Sequence, residues 1–216
     1  MFEAATARQL MVEGQIRTAD VTDLDLQDAM LAIPRERFVP PALADIAYLD
    51  KDIPIGGGRA MLKPMVLAKL IQAAHVRKQD RVLDVGCGLG YSAAVLARLA
   101  GSVIALEEDA TLARQAKEAL AAVGAAAEVA VGPLIAGWPA AAPYDVILIN
   151  GGSEIVPETI GHQLKPGGRL ACVYGRSPAA KGTIFRVVEG RLAGRPVFDA
   201  AAPVLPGFTV LPAFVF

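Results

Sequence analysis

The sequence predicts an α/β fold. It is a mostly parallel, doubly wound sheet with antiparallel C-terminal strands and a helical N-terminal segment. Three observations predict it. From Arg81 onward, apolar strand-like runs alternate with helical patterns, the order that builds a parallel sheet. A glycine-rich turn, "DVGCGLGY", follows the first of these runs and opens a helical pattern. From Thr183 the alternation stops, and two strand-like runs flank Glu189-Gly190 as a hairpin would.

Residues 1–78 are expected to form the helical segment of the same domain, and residues 79–216 the sheet. Leu26, Met30 and Ile33 recur at i, i+4 and i+7, one helical stripe. Pro34 stops that helix and Asp23 is its candidate N-cap. The stretch from Pro34 to Pro64 is rich in Pro and Gly and reads as loop. Pro64 suits the first turn of a helix with the stripe Leu67, Leu70, Ile71 and Ala74.

The strands are expected at "RVLDVG", "SVIALE", "AEVAVG", "YDVILIN" and "GGRLACVYG". "TLARQAKEALAAV" is the clearest helix between them. Such a sheet needs cover on both faces. "TIFRVVEGRLAGRPVFDA" reads as the hairpin and "FTVLPAFVF" as a final strand.

The 216 residues suffice for one large domain, and 54% are hydrophobic, so a sizeable core can form. A net charge of −1 leaves no basic footprint for nucleic acid. Two cysteines, Cys87 and Cys172, make no disulfide framework and suit a reducing compartment. The N-terminal stretch lacks the apolar core of a signal peptide, and no run approaches the ~20 apolar residues of a membrane span. The expectation is a soluble cytoplasmic protein without a membrane partner. No Cys/His/acid spacing suggests a metal site. His75 and His162 read as ordinary surface or packed residues.

A strand running into a glycine turn and a helix N-terminus is a ligand crevice in such sheets. A dinucleotide site wants G-x-G-x-x-G, with the third glycine packing the helix close to the strand. Here the glycines are Gly86, Gly88 and Gly90, and the third position of that pattern is Tyr91. S-adenosyl-L-methionine has no pyrophosphate. It presents an ammonium, which Asp84 can serve, and a ribose, whose hydroxyls Glu107 can take from the end of the next strand. The pattern therefore favours S-adenosylmethionine over a dinucleotide or an unliganded turn. The expected cofactor contacts are Asp84, Gly86, Cys87, Gly88, Gly90, Tyr91, Glu107 and Glu108. Tyr91 either flanks the methionine tail or packs on the N-terminal loop.

Outside the turn, "MVEGQIR", "AMLAIPRERFVP", "AYLDKDIPIGGG", "GW", "APYDVILIN" and "QLKPGGRL" occur in order. In this the chain resembles the protein-L-isoaspartate O-methyltransferases over about residues 9 to 175. The short N-terminal phrases are diagnostic, because many methyltransferases share the turn. The resemblance implies a Rossmann-like S-adenosylmethionine-dependent methyltransferase fold. It implies methyl transfer to the α-carboxylate of isoaspartyl residues in damaged proteins. Such an acceptor, with a pKa of about 3.9, is ionised at pH 7 and needs no general base.

The chain departs from the family at several places. The family's Q-T-I-S-Q-P is here "RAMLKP", so Arg59, Ala60, Met61, Leu62 and Lys63 are the candidate acceptor-binding residues. Leu62 and Lys63, at the family's serine and second glutamine, are the catalytic-position candidates. Lys63 or Arg59 can face an anionic acceptor. The family's G-D-G reads "GPL", which puts Pro133 and Leu134 at the adenine, and T-A-A has become Asn150-Gly151-Gly152. These changes leave two alternatives open: the same scaffold with a small-molecule acceptor, or a non-catalytic cofactor-binding module.

Overall fold

The structure is a computed structural model and describes residues 3–210. Helix α1 (Ala4–Met11) continues through a wider turn at 12–16 and a tighter one at 17–19. It stops at Asp20, whose backbone is left-handed. Helix α2 (Leu24–Ala32) starts on Asp23, whose carboxylate accepts the Leu26 N–H at 3.0 Å. Ile33 turns extended ahead of Pro34 and ends it.

The stretch from Pro34 to Pro64 is more ordered than its composition predicts. It holds two short helical turns, at 35–38 and 41–46, and a hairpin of strands β1 (Ile53–Gly56) and β2 (Arg59–Met61). Strands of four and three residues are too short to leave a readable alternation. Helix α3 (Pro64–Ala74) follows and buries Leu67, Leu70, Ile71 and Ala74, the expected stripe.

The main sheet contains β3 (Arg81–Val85), β4 (Ser102–Glu107), β5 (Glu128–Val131), β6 (Tyr144–Ser153), β7 (Leu164–Tyr174), β8 (Lys181–Val188) and β9 (Arg191–Asp199). Its order is β5-β4-β3-β6-β7-β8-β9. The five strands β5 to β7 in that order run parallel, and β8 and β9 close the edge antiparallel, as expected. Helix α4 (Tyr91–Leu99) joins β3 to β4, α5 (Ala110–Ala122) joins β4 to β5, and the single turn α6 (Glu158–Gly161) precedes β7. The order reverses between β4-β3 and β3-β6, so the crevice opens at the C-terminal ends of β3 and β6.

The two faces of the sheet are covered differently. Val82, Val103, Ala105 and Leu148 face the helices α1 to α5. Leu83, Val85, Leu106, Ile147 and Ile149 face short segments only, among them the turn at Leu134, α6 and the chain near Leu205 and Phe208. The segments linking β5 to β6 and β7 to β8 are too short for long helices.

The end of the sequence was expected as a strand over 208–216. Residues 211–216 lie outside the described residues, and 208–210 are not in a strand. Instead residues 202–208 lie along the C-terminal end of β6. The Gly152 N–H donates to the Pro203 carbonyl at 2.7 Å, and the Leu205 N–H donates to the Gly152 carbonyl at 2.9 Å. This close approach accounts for Gly151-Gly152. A Cβ at Gly151 would lie 2.6 Å from the Leu205 side chain, and one at Gly152 would lie 2.5 Å from the Ala202 carbonyl. Gly152→Val is therefore expected to destabilise the protein by about 1–3 kcal/mol in urea unfolding. Gly14→Ala, where an added Cβ meets nothing within 4 Å, leaves the midpoint unchanged or raised.

Candidate functional site

β3 delivers the chain to the crevice at Val85. The Gly86 and Cys87 N–H groups both donate to the Leu106 carbonyl, at 2.8 and 3.1 Å, which ties the turn to β4. Gly86, Gly88 and Gly90 all take positive φ, +81°, +58° and +96°. Each also faces a close neighbour. A Cβ at Gly86 would lie 2.6 Å from Arg59 Nη2, one at Gly88 would overlap Ile55, and one at Gly90 would lie 3.2 Å from Leu120 of α5. The third glycine therefore serves helix packing, and the first two lie under the β1–β2 hairpin.

Two carboxylates flank the turn. Glu107 is fully buried at the end of β4. Its Oε2 accepts the Gly88 N–H at 2.8 Å, and its Oε1 accepts the Glu108 N–H at 2.9 Å. Oε1 also pairs with Arg59 Nη1 at 2.7 Å, and Arg59 Nη2 donates to the Gly86 carbonyl at 2.9 Å. The guanidinium is itself buried, with 4% of its side chain exposed.

Asp84, in β3, is also buried. Its Oδ2 accepts the Ser92 hydroxyl at 2.5 Å, and the Ser92 oxygen accepts Asn150 Nδ2–H at 2.7 Å. Its Oδ1 has no partner among the described residues. Burial pushes the Asp84 carboxyl up to about 7; the Ser92 hydrogen bond opposes this and the nearby Glu107 charge adds to it. Burial also pushes the Cys87 thiol up, so it is an inert thiol at neutral pH.

The structure gathers most of the expected residues here. Gly86, Cys87, Gly88, Tyr91, Asn150, Ala60, Met61 and Leu62 line a common space. That space has a volume of about 10 Å³, room for one water. Tyr91 reaches it while packing on the N-terminal loop. Its ring meets Phe38 edge-on at 5.8 Å and lies 4.7 Å from the Arg35 guanidinium. The Leu62 side chain is buried and its carbonyl accepts Arg35 Nη2–H at 2.7 Å. Lys63 caps α3, and its N–H donates to Asp52 at 2.8 Å.

Three expected residues lie elsewhere. Leu134 is buried in the core on the other face of the sheet. Pro133 and Glu108 are on the surface. Four residues that sequence reasoning missed complete the site: Ser92, Phe38, Ile55 and Leu205. Ser92 alone left a signal, since the first turn of a helix after such a strand folds back over that strand's end.

Known proteins resemble this chain over most of its length. The profile of the family described as protein-L-isoaspartate(D-aspartate) O-methyltransferase (PCMT) matches residues 6–186. The chain belongs to this family. A protein-L-isoaspartate O-methyltransferase of Methylorubrum extorquens is 43% identical over 198 residues, covering 92% of this chain and 85% of the relative. One from Methanoculleus marisnigri is 41% identical over 169 residues, covering 78% and 77%. A solved protein-L-isoaspartate O-methyltransferase superposes with a TM-score of 0.78 at 26% identity, over 93% of this chain and 66% of the other. A Plasmodium falciparum structure in complex with S-adenosyl-L-homocysteine gives 0.79 at 18% identity, over 92% and 97%, a likeness of fold.

Within the PCMT family frame, the Arg59–Glu107 pair is a buried link between the hairpin and the sheet. Glu107→Ala strands the guanidinium and is expected to cost about 3–5 kcal/mol in thermal or urea unfolding. Arg59→Ala/Glu107→Ala costs less than Glu107→Ala alone, since no charge is left unpaired.

Proposed function

We propose that this chain transfers a methyl group from S-adenosyl-L-methionine to the α-carboxylate of L-isoaspartyl residues in damaged proteins. The observation that carries the reading is the pair of buried carboxylates, Asp84 and Glu107, flanking a glycine turn in a chain of the PCMT family.

The donor set fits the cofactor. Asp84 Oδ1 is a buried, unpartnered acceptor able to take an ammonium, and Glu107 offers a carboxylate to the ribose hydroxyls. The glycine cradle is filled by Arg59, Ile55 and Leu205, all side chains with rotatable bonds rather than backbone. Room for the cofactor is made by moving them. When bound, S-adenosylmethionine supplies an electrophilic methyl group on a sulfonium.

The chain's own residues do the rest. Gly86, Cys87, Gly88 and Gly90 let the backbone come close, while Ser92 and Asn150 steady Asp84. Phe38, Ile55 and Tyr91 exclude water from the reacting centre. The acceptor carboxylate, ionised at pH 7, is a nucleophile as it stands. The site therefore needs alignment more than a base. Ala60, Met61 and Leu62 form the acceptor side with Arg59 and Lys63. Leu62 supplies no hydroxyl there, so positioning rests on backbone and charge.

Labelled methyl from S-adenosylmethionine is expected to appear on an isoaspartyl peptide and not on its aspartyl isomer. Label on small carboxylates alone would move the acceptor to another class, and none on any acceptor would remove the activity. Asp84 sets a pH dependence. A carboxyl that ionises near 7 is neutral at pH 6 and charged at pH 8, and only the charged form balances an ammonium. S-adenosylhomocysteine affinity is therefore expected to rise about tenfold from pH 6 to pH 8. Calorimetry on Asp84→Asn checks this: that variant binds weakly with no such slope.

A further inference from the structure

We propose that Arg59 serves two carboxylates in turn: Glu107 while the crevice is closed, and the acceptor's carboxylate once the cofactor's ribose has taken Glu107. The inference rests on the function proposed above and assigns a positioning residue to its acceptor side.

Three features of the structure lead to it. First, Arg59 is where the cofactor must go. Its guanidinium bridges Glu107 Oε1 and the Gly86 carbonyl, the end of β4 and the first glycine of the turn. Both are positions a ribose bound at Glu107 would contend for. Second, Arg59 is the single cation among the described residues lining the space at the turn and the narrow extension toward Leu205. Among the described residues no other lysine or arginine lines these two spaces, and Lys63 lies outside both. Third, Arg59 is mounted to move. It begins β2, in a two-stranded hairpin that shares no strand pairing with the main sheet. The preceding turn, Gly56-Gly57-Gly58, is exposed, and added Cβ atoms at Gly56 and Gly58 meet nothing within 4 Å.

The exchange is balanced at each end. When Arg59 leaves, Glu107 keeps the N–H groups of Gly88 and Glu108, and the ribose hydroxyls become its remaining donors. Arg59 then holds an unpaired charge beside a water-poor cleft, an unfavourable state. The arriving acceptor carboxylate relieves it, and the planar guanidinium fork matches that group in shape. Arg59 Nε, buried without a partner in the closed state, is one further donor for it. Cofactor binding thereby creates the acceptor site, so the acceptor binds second.

Calorimetry on wild type, Arg59→Gln and Arg59→Lys tests the exchange. S-adenosyl-L-homocysteine is titrated first, and an isoaspartyl peptide is then titrated into the saturated protein. A peptide with that carboxylate converted to the amide is the control. Arg59→Gln removes the competitor and is expected to bind S-adenosylhomocysteine about ten- to a hundredfold tighter. The same variant is expected to bind the isoaspartyl peptide at least about tenfold weaker, while the amide peptide binds both proteins alike. Arg59→Lys, which keeps the charge and loses the fork, falls between them on both readouts. Equal S-adenosylhomocysteine affinity in wild type and Arg59→Gln overturns the inference. So does tighter cofactor binding with unchanged peptide affinity. If S-adenosylhomocysteine binds neither protein while both show cooperative melts, the proposed function fails along with it. Binding to both with equal affinity overturns the role of Arg59 alone.

Discussion

A carboxylate with no access to water must have its charge answered from inside the protein, and Glu107 sets that condition for the whole crevice. It lies at the end of β4 with both oxygens engaged, by backbone N–H groups on the turn side and by Arg59 from across the cleft. Those bonds hold the glycine turn in register with β4. They also draw the hairpin of residues 53–61 down over the strand ends. The buried charge at the site thus also joins the N-terminal segment to the sheet. Asp84, on the neighbouring strand β3, is the counterexample within the same cleft. Its hydrogen-bond partner is Ser92 rather than a cation, and burial makes its carboxyl hold its proton to about pH 7, with the Ser92 bond and the Arg59 charge only partly opposing this.

The architecture was legible because its signals are periodic. The stripe of α3, the five parallel strands and the turn at Glu189-Gly190 repeat over enough residues, or use turn chemistry distinctive enough, to be read without contacts. The β1–β2 hairpin was not legible, since neither strand is long enough to show a period. Cover on the second face was expected, but its kind was not legible. Alternation implies that a parallel sheet is covered, but it does not say that short turns and the chain near Leu205 provide the cover.

The site divides the same way. Asp84, Glu107 and the glycines announce themselves by order along the chain, because strand, turn and helix place neighbours in sequence as neighbours in space. Ile55, Arg59 and Leu205 meet the turn from far away in sequence, and only tertiary packing brings them there. Arg59 was expected on the acceptor side from its place in the motif, yet its pairing with Glu107 could not be read there. Leu134 shows the opposite failure: it was expected at the adenine from its place in the segment "GPL", while its apolar side chain follows burial into the core. Gly151-Gly152 departs from the family pattern for a reason invisible in sequence, the backbone of residues 202–205 lying against β6.

That last contact has a consequence for how the molecule breathes. The wall of the crevice at β6 is made by the far end of the described chain, joined through the paired bonds of Gly152 with Pro203 and Leu205. Residues 202–208 belong to no helix and no main-sheet strand, so they can peel away as a unit while every strand pairing of the sheet stays closed. Opening this wall is then a sub-global event with its own, smaller free energy. The cleft's accessibility and the protein's stability can therefore be tuned separately, one by the strength of a short terminal clasp and the other by the sheet beneath it.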